Sequence, residues 1–129
     1  MVLDTQALVW WVHGTGLSAA ATAAINDEQP SRELLVSSIT AWEIAMLVSR
    51  GRLLLSLEVD AWLLALVRSS AVRFVPIDND IATAAANLPG QLHRDPADRF
   101  VIATARHFAA PLVTSDQKIR LYPHVRTIW

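Results

Sequence analysis

Leu34-Leu35-Val36-Ser37-Ser38-Ile39-Thr40-Ala41-Trp42-Glu43 is the stretch that decides the fold. A compact apolar run of strand length passes through two serines into a helical pattern, which continues to about Ser49 and stops at Gly51. The strand is continuously apolar rather than alternating, as expected when both faces of a sheet are covered.

The same unit recurs on either side. Met1-Val2-Leu3 reads as a short buried strand ending at Asp4, followed by a helix over residues 5–13 that Gly14 and Gly16 break. Ser18 is a good N-cap for a second helix dense in alanine, and Pro30 closes that region. Further on come a helix over about 58–69 and a strand over 73–77 with Pro76 near its end or on an edge. An Ala-rich helix capped by Asp78 or Asp80 follows and ends before Pro89-Gly90. The chain finishes with a helix over 95–108 and strands over 111–114 and 125–128. Strand and helix alternate throughout, which predicts an α/β fold with a mostly parallel sheet covered on both faces.

Bulk properties bound the function. The 129 residues suffice for one domain, 1–129, with one substantial core. Apolar residues make up 53% and charged residues 18%, which excludes a disordered chain. No apolar run approaches the roughly 18 residues a membrane span requires, and the start lacks the features of a secretory signal. Cysteine is absent, so neither a disulfide framework nor a thiolate zinc site is expected. These features fit a cytoplasmic protein. A net charge of −1 argues against a strong standalone nucleic-acid binder, although ten of the eleven basic residues are Arg, the better bidentate phosphate ligand.

Chemistry enters through the acids. In open parallel sheets, ligands bind outside the C-terminal ends of the strands. Asp4 and Asp116 each lie just past a strand, Glu43 lies in the first turns of the helix after Leu34-Leu35-Val36, and Asp98 lies in the first turn of the helix at 95–108. Each has a bland reading: Asp4 and Asp116 as caps, Thr40-Ala41-Trp42-Glu43 as a capping box, and Asp98 as a favourable charge at a helix start. Asp95-Pro96 has the form of an N-cap followed by proline at the first helical position, so Asp95 reads chiefly as a cap. Only the conjunction favours a site. Clustered carboxylates resist joint ionisation unless a cation joins them, and oxygen donors without cysteine or spaced histidines suit Mg²⁺ or Mn²⁺. Such a site supports hydrolysis of phosphodiesters.

These motifs resemble the PIN-domain family, specifically the VapC-like toxins of type II toxin–antitoxin systems. The resemblance spans nearly the whole chain and rests on Val2-Leu3-Asp4-Thr5, Val36-Ser37-Ser38 leading to Ala41-Trp42-Glu43-Ile44-Ala45, Arg94-Asp95-Pro96-Ala97-Asp98-Arg99, Ile102-Ala103-Thr104-Ala105 and Leu112-Val113-Thr114-Ser115-Asp116. It implies a three-layer α/β/α sandwich and a Mg²⁺- or Mn²⁺-dependent endoribonuclease whose ligands are Asp4, Glu43, Asp98 and Asp116. Thr5 and Ser115 match small hydroxyl residues that adjoin such sites. A cognate antitoxin and a homodimer are implied as well. Gln6 and Ala97 depart from residues frequent in relatives, which touches specificity rather than the ligand set.

The remaining residues carry structural expectations. One of Trp10 and Trp11 should be core and the other partly exposed, and Trp42 should pack its helix. Arg50, Arg52, Arg94, Arg99, Lys118 and Arg120 are expected as solvated surface. His13, His93, His107 and His124 show no ligand spacing and receive no metal role. A PIN-like module that binds without cleaving is the rival reading. A phosphatase of another α/β family is disfavoured, because Asp4-Thr5-Gln6 lacks a second aspartate two residues on.

Overall fold

The computed structural model describes residues 1–28 and 34–129. The strands are β1 (Val2–Leu3), β2 (Leu34–Ser37), β3 (Val72–Val75), β4 (Leu112–Val113) and β5 (Thr127–Ile128). The helices are α1 (Thr5–His13), α2 (Ala19–Glu28), α3 (Ile39–Ser49), α4 (Val59–Arg68), α5 (Asn79–Ala86), α6 (Pro96–His107) and α7 (Gln117–Arg120). The expected ending of the α2 region at Pro30 lies outside the described residues. Every strand pairing is parallel, in the order β3-β2-β1-β4-β5. Pro76 falls just past the edge strand β3, where its missing N–H breaks no ladder bond.

The register explains the unbroken apolar strands. Leu3, Leu34, Val36 and Val113 pack into one core with Leu8 of α1, Ile25 of α2, Ile44 of α3 and Trp62 of α4. Val2, Leu35 and Leu112 face the other way, into a core with Ile81 of α5, Val101 and Ile102 of α6, Ile119 and Tyr122. Successive strand residues point to opposite faces, and here both faces are dry. The result is a three-layer α/β/α sandwich.

Local chemistry sets the helix starts. Asp4 accepts from Ala7 N, Asp78 from Ile81 N, Asp95 from Ala97 N, and Ser18 from Ala21 N. Asp78, not Asp80, caps α5. Helix α1 ends at Gly14, whose φ of 73° is left-handed and whose N–H reaches the carbonyls of Trp10 and Trp11. Gly16 (φ +100°) lies so close under Trp10 that a Cβ there would sit 2.5 Å from the indole Cδ1. Trp10 and Trp11 are both half-buried, and Trp10 packs on Trp129 with ring centroids 5.3 Å apart. Trp11 packs against the first core and Trp10 against Trp129, so both rings are half-buried and neither is fully core, as one of them was expected to be.

The topology has one switch point. From β1 the chain moves outward to β2 and β3, then crosses back along α5 and α6 to β4 on the other side of β1. Loops leaving β1 and β4 diverge there, opening a crevice at the C-terminal edge of the sheet.

Candidate active site

The crevice is a cavity of about 300 Å³ lined by Asp4, Thr5, Glu43, Asp98, Ser115 and Asp116, with Gln6, Leu47 and Val101 completing its walls. All four acids named from the sequence meet in it, together with Thr5 and Ser115. Asp4 comes from the β1 end and Asp116 from just past β4, so these two flank the switch point. Glu43 is delivered by α3 and Asp98 by the first turn of α6.

Each acid is held differently. Asp4 is buried, accepts from Ala7 N at 2.6 Å and is hydrogen-bonded by the Thr114 hydroxyl. Glu43 Oε1 accepts from the Thr5 hydroxyl at 2.5 Å, and the Thr5 and Thr40 hydroxyls are 3.0 Å apart. One hydroxyl carries one proton, so Thr5 donates to Glu43 and accepts from Thr40. Asp98 Oδ2 lies 2.5 Å from His93 Nε2. Asp116 Oδ1 accepts from Lys118 N at 2.7 Å and Ile119 N at 3.1 Å, starting α7.

The bland and functional readings of Asp4 and Asp116 therefore coexist: each is a cap and each lines the cavity. The capping-box reading of Glu43 fails. Ser38 occupies the cap position of α3 without a side-chain cap bond, and Thr40 is turned inward, fully buried against Thr5. Asp95 behaves as expected, its Oδ1 accepting from Ala97 N and Asp98 N, and it lines a neighbouring groove instead of the cavity.

The electrostatics record the crowding. Burial pushes the Asp4 carboxyl from 3.8 up to about 6; the Thr114 and Ala7 hydrogen bonds oppose this, while the charges of Asp98 and Asp116 add to it. Burial also raises Glu43, against the bond from Thr5 and with help from Asp98, Asp95 and Asp4. Asp98 is raised by burial first; His93 opposes, and Asp95 and Asp116 reinforce. These are mutually repelling oxygen donors in one cleft, the environment in which a hard divalent cation is favoured. Among the described residues no three His, Asp or Glu side chains are placed together as a group that could hold a metal ion. Mg²⁺ does not require one, since it keeps several waters and takes one or two carboxylates directly. The donor set fits such an ion.

Three residues escaped sequence reading. Thr40 and Thr114, both fully buried, hold the site's side chains; Thr40 lies one turn before Glu43 on α3, and that spacing was the available signal. His93 reaches Asp98 from five residues upstream because the chain turns at Asp95. Arg99 is no solvated arginine: it donates to the carbonyls of Ala85, Ala86 and His93, tying α6 to the end of α5 and to the loop carrying His93. Trp42 also departs from expectation, being 58% exposed; Thr40 and Ile44 take the inward face of α3 and leave the indole outside.

The chain is similar to known proteins over nearly its whole length. Residues 1–125 match the family model for the PIN domain. The chain is 36% identical over 132 residues to Ribonuclease VapC22 of Mycobacterium tuberculosis (strain ATCC 25618 / H37Rv), covering all of this chain and 98% of that relative. Among solved structures it resembles VapBC2 from Rickettsia felis bound to a promoter DNA fragment, with a TM-score of 0.70 and 14% identity over 98% of this chain and 95% of that one. A toxin–antitoxin complex from Klebsiella pneumoniae is similar as well, with a TM-score of 0.66 and 21% identity over 96% and 93% of the two chains. At these identities the solved structures speak for the fold.

Proposed function

The chain belongs to the PIN-domain family, and from that premise we propose that it is a Mg²⁺- or Mn²⁺-dependent endoribonuclease, the toxin of a type II toxin–antitoxin pair. The observation that carries the reading is the meeting of Asp4, Glu43, Asp98 and Asp116 in one cavity at the switch point, with Asp4, Glu43 and Asp98 each raised from its ordinary pKa, chiefly by burial. A relative named as a ribonuclease and structural neighbours named as toxin–antitoxin complexes support it.

Asp4, Asp98 and Asp116 would hold the ion. When bound, the ion supplies charge neutralisation at the phosphodiester and lowers the pKa of a coordinated water. Glu43, raised by burial and steadied by Thr5, is placed to orient the attacking water and take its proton. Asp4 is fixed from two sides by Ala7 N and Thr114, and Asp98 by His93, so neither carboxylate has to be ordered during the reaction. Leu47 and Val101 form the apolar part of the wall and limit water on that side. The substrate places the activity in the cytoplasm, with a cognate antitoxin covering the cleft and a homodimer as the working assembly. No helix among the described residues is long and apolar enough to cross a membrane.

The test is RNA turnover by protein from a nuclease-free preparation. Cleavage should require Mg²⁺ or Mn²⁺, stop with chelator, and vanish in Asp98→Asn with the fold intact. Full activity in folded Asp98→Asn refutes the assignment. Metal-independent RNA binding without turnover would favour the non-catalytic module.

A further inference from the structure

Beside the carboxylate cavity lies a second hollow of about 420 Å³, lined by Ile39, Trp42, Glu43, Asp95, Pro96 and Ala97. Glu43 lines both, so the hollow adjoins the proposed site of cleavage. Its wall includes the most exposed aromatic side chain among the described residues, Trp42 at 58%. A large apolar ring left in water on a helix whose inward face is already filled contributes nothing to the core.

On the ribonuclease reading, from which this step follows, we infer that the Trp42 hollow holds the RNA base next to the scissile phosphate, stacked on the indole. Three observations select a base. Among the described residues the lining contains no Lys or Arg, so a phosphate has no partner from them there, whereas a neutral base does not need one. The wall is largely apolar and ends in a flat π-face, the surface on which single-stranded bases stack. Asp95, at the rim, has both of its backbone bonds on Oδ1, and Oδ2 is an acceptor suited to the N–H donors on a base edge. Asp95 thereby gains a second role beside capping α6, and Trp42 becomes a specificity residue and not part of the catalytic machinery.

The test uses a short single-stranded oligoribonucleotide cleaved by the wild-type protein with Mn²⁺, and the same oligomer carrying an abasic residue on either side of the cut. Stacking of one base predicts that Trp42→Ala lowers kcat/KM by roughly 5- to 100-fold, chiefly through KM, while Trp42→Phe keeps most of the activity. One of the two abasic placements should reduce wild-type kcat/KM by a similar factor and leave Trp42→Ala unaffected. Trp42→Ala cleaving as wild type, or losing the same factor on intact and abasic RNA, overturns the inference while leaving the ribonuclease reading in place. Unchanged cleavage with weakened binding of an antitoxin would assign the hollow to a protein partner and overturn it equally. Wild-type protein that cleaves no RNA overturns both.

Discussion

Asp4→Asn should stabilise the metal-free protein while ending RNA cleavage. Asp4 is 9% exposed, and burial above all lifts its carboxyl from 3.8 to about 6. A carboxyl whose folded pKa lies above its unfolded one binds its proton more tightly when folded. Its contribution to stability is therefore fully present below about 3.8 and is lost as pH rises through about 6. At about 1.4 kcal/mol for each pH unit, the gap amounts to roughly 3 kcal/mol withdrawn at neutral pH. Asparagine is neutral throughout and keeps a carbonyl oxygen for Ala7 N, so the cap of α1 survives. Losing the negative charge at the helix start takes back about 0.3–1 kcal/mol. The net expectation is a gain of about 2 kcal/mol at pH 7.5, or a melting temperature higher by on the order of 5–10 °C.

The assay is thermal and urea unfolding, with chelator, at pH 4, 5.5 and 7.5. The two proteins should nearly coincide at pH 4 and separate as pH rises, with the variant the more stable. Saturating Mg²⁺ should then raise the wild type alone, because an ion that binds only the folded state stabilises it by mass action. Parallel curves across this range, or a less stable variant at pH 7.5, would refute the account of Asp4 as a strained charge awaiting a cation.

Other perturbations test the supports. Thr5→Val removes the donor that holds Glu43 down, so the acid limb of the pH–rate profile for RNA cleavage should move to higher pH; an unmoved limb would mean that Glu43 does not titrate in the reaction. Arg99→Met releases the carbonyls of Ala85, Ala86 and His93 and should cost about 2 kcal/mol, with limited proteolysis newly cutting residues 87–95. Gly16→Ala should cost about 2–3 kcal/mol in urea unfolding, since strain at φ +100° adds to the clash with Trp10. Gly14→Ala, with φ +73° and nothing within 4 Å, should cost only about 1 kcal/mol; equal costs would remove the clash from the explanation.

Most of the layout could be read from the chain because the physics was local. Val2-Leu3, Leu34-Leu35-Val36 and Leu112-Val113 are apolar at successive positions since each residue serves one of two cores. Helix α5 keeps a polar face, exposing Asp80 and Thr83 while it buries Ile81 and Ala85 four residues apart. Helix α3 does not: Ile39, Ala41, Trp42, Ile44, Ala45, Met46, Leu47 and Val48 leave almost no polar face. Its roll is set by the buried Thr40 and Ile44, a tertiary fact, and the exposure of Trp42 follows from that roll. His93 was hidden for a related reason, since a five-residue spacing meets nothing until Asp95 caps α6 and turns the chain back on itself.

The overlap of caps and candidate ligands has a common cause. In a parallel sheet each strand delivers its following helix from the same edge, so helix N-termini and strand ends share the crevice. The backbone N–H groups at the starts of α1 and α6 carry partial positive charge, which offsets some of the repulsion among Asp4, Asp95 and Asp98 before any cation arrives. A cap also fixes a carboxylate's direction. Asp116 commits Oδ1 to Lys118 N and Ile119 N, which holds the group rigid with Oδ2 uncommitted. Asp95 caps α6 in the same way through Oδ1, but it lines the Trp42 hollow and not the carboxylate cavity. Capping therefore does not distinguish ligand from bystander; position relative to the switch point does. Moving the acid tests this: in Asp98→Asn, Asp95 should fail to restore Mn²⁺-dependent cleavage even at saturating metal, and rescue would show that either position in the first turn of α6 can serve the ion.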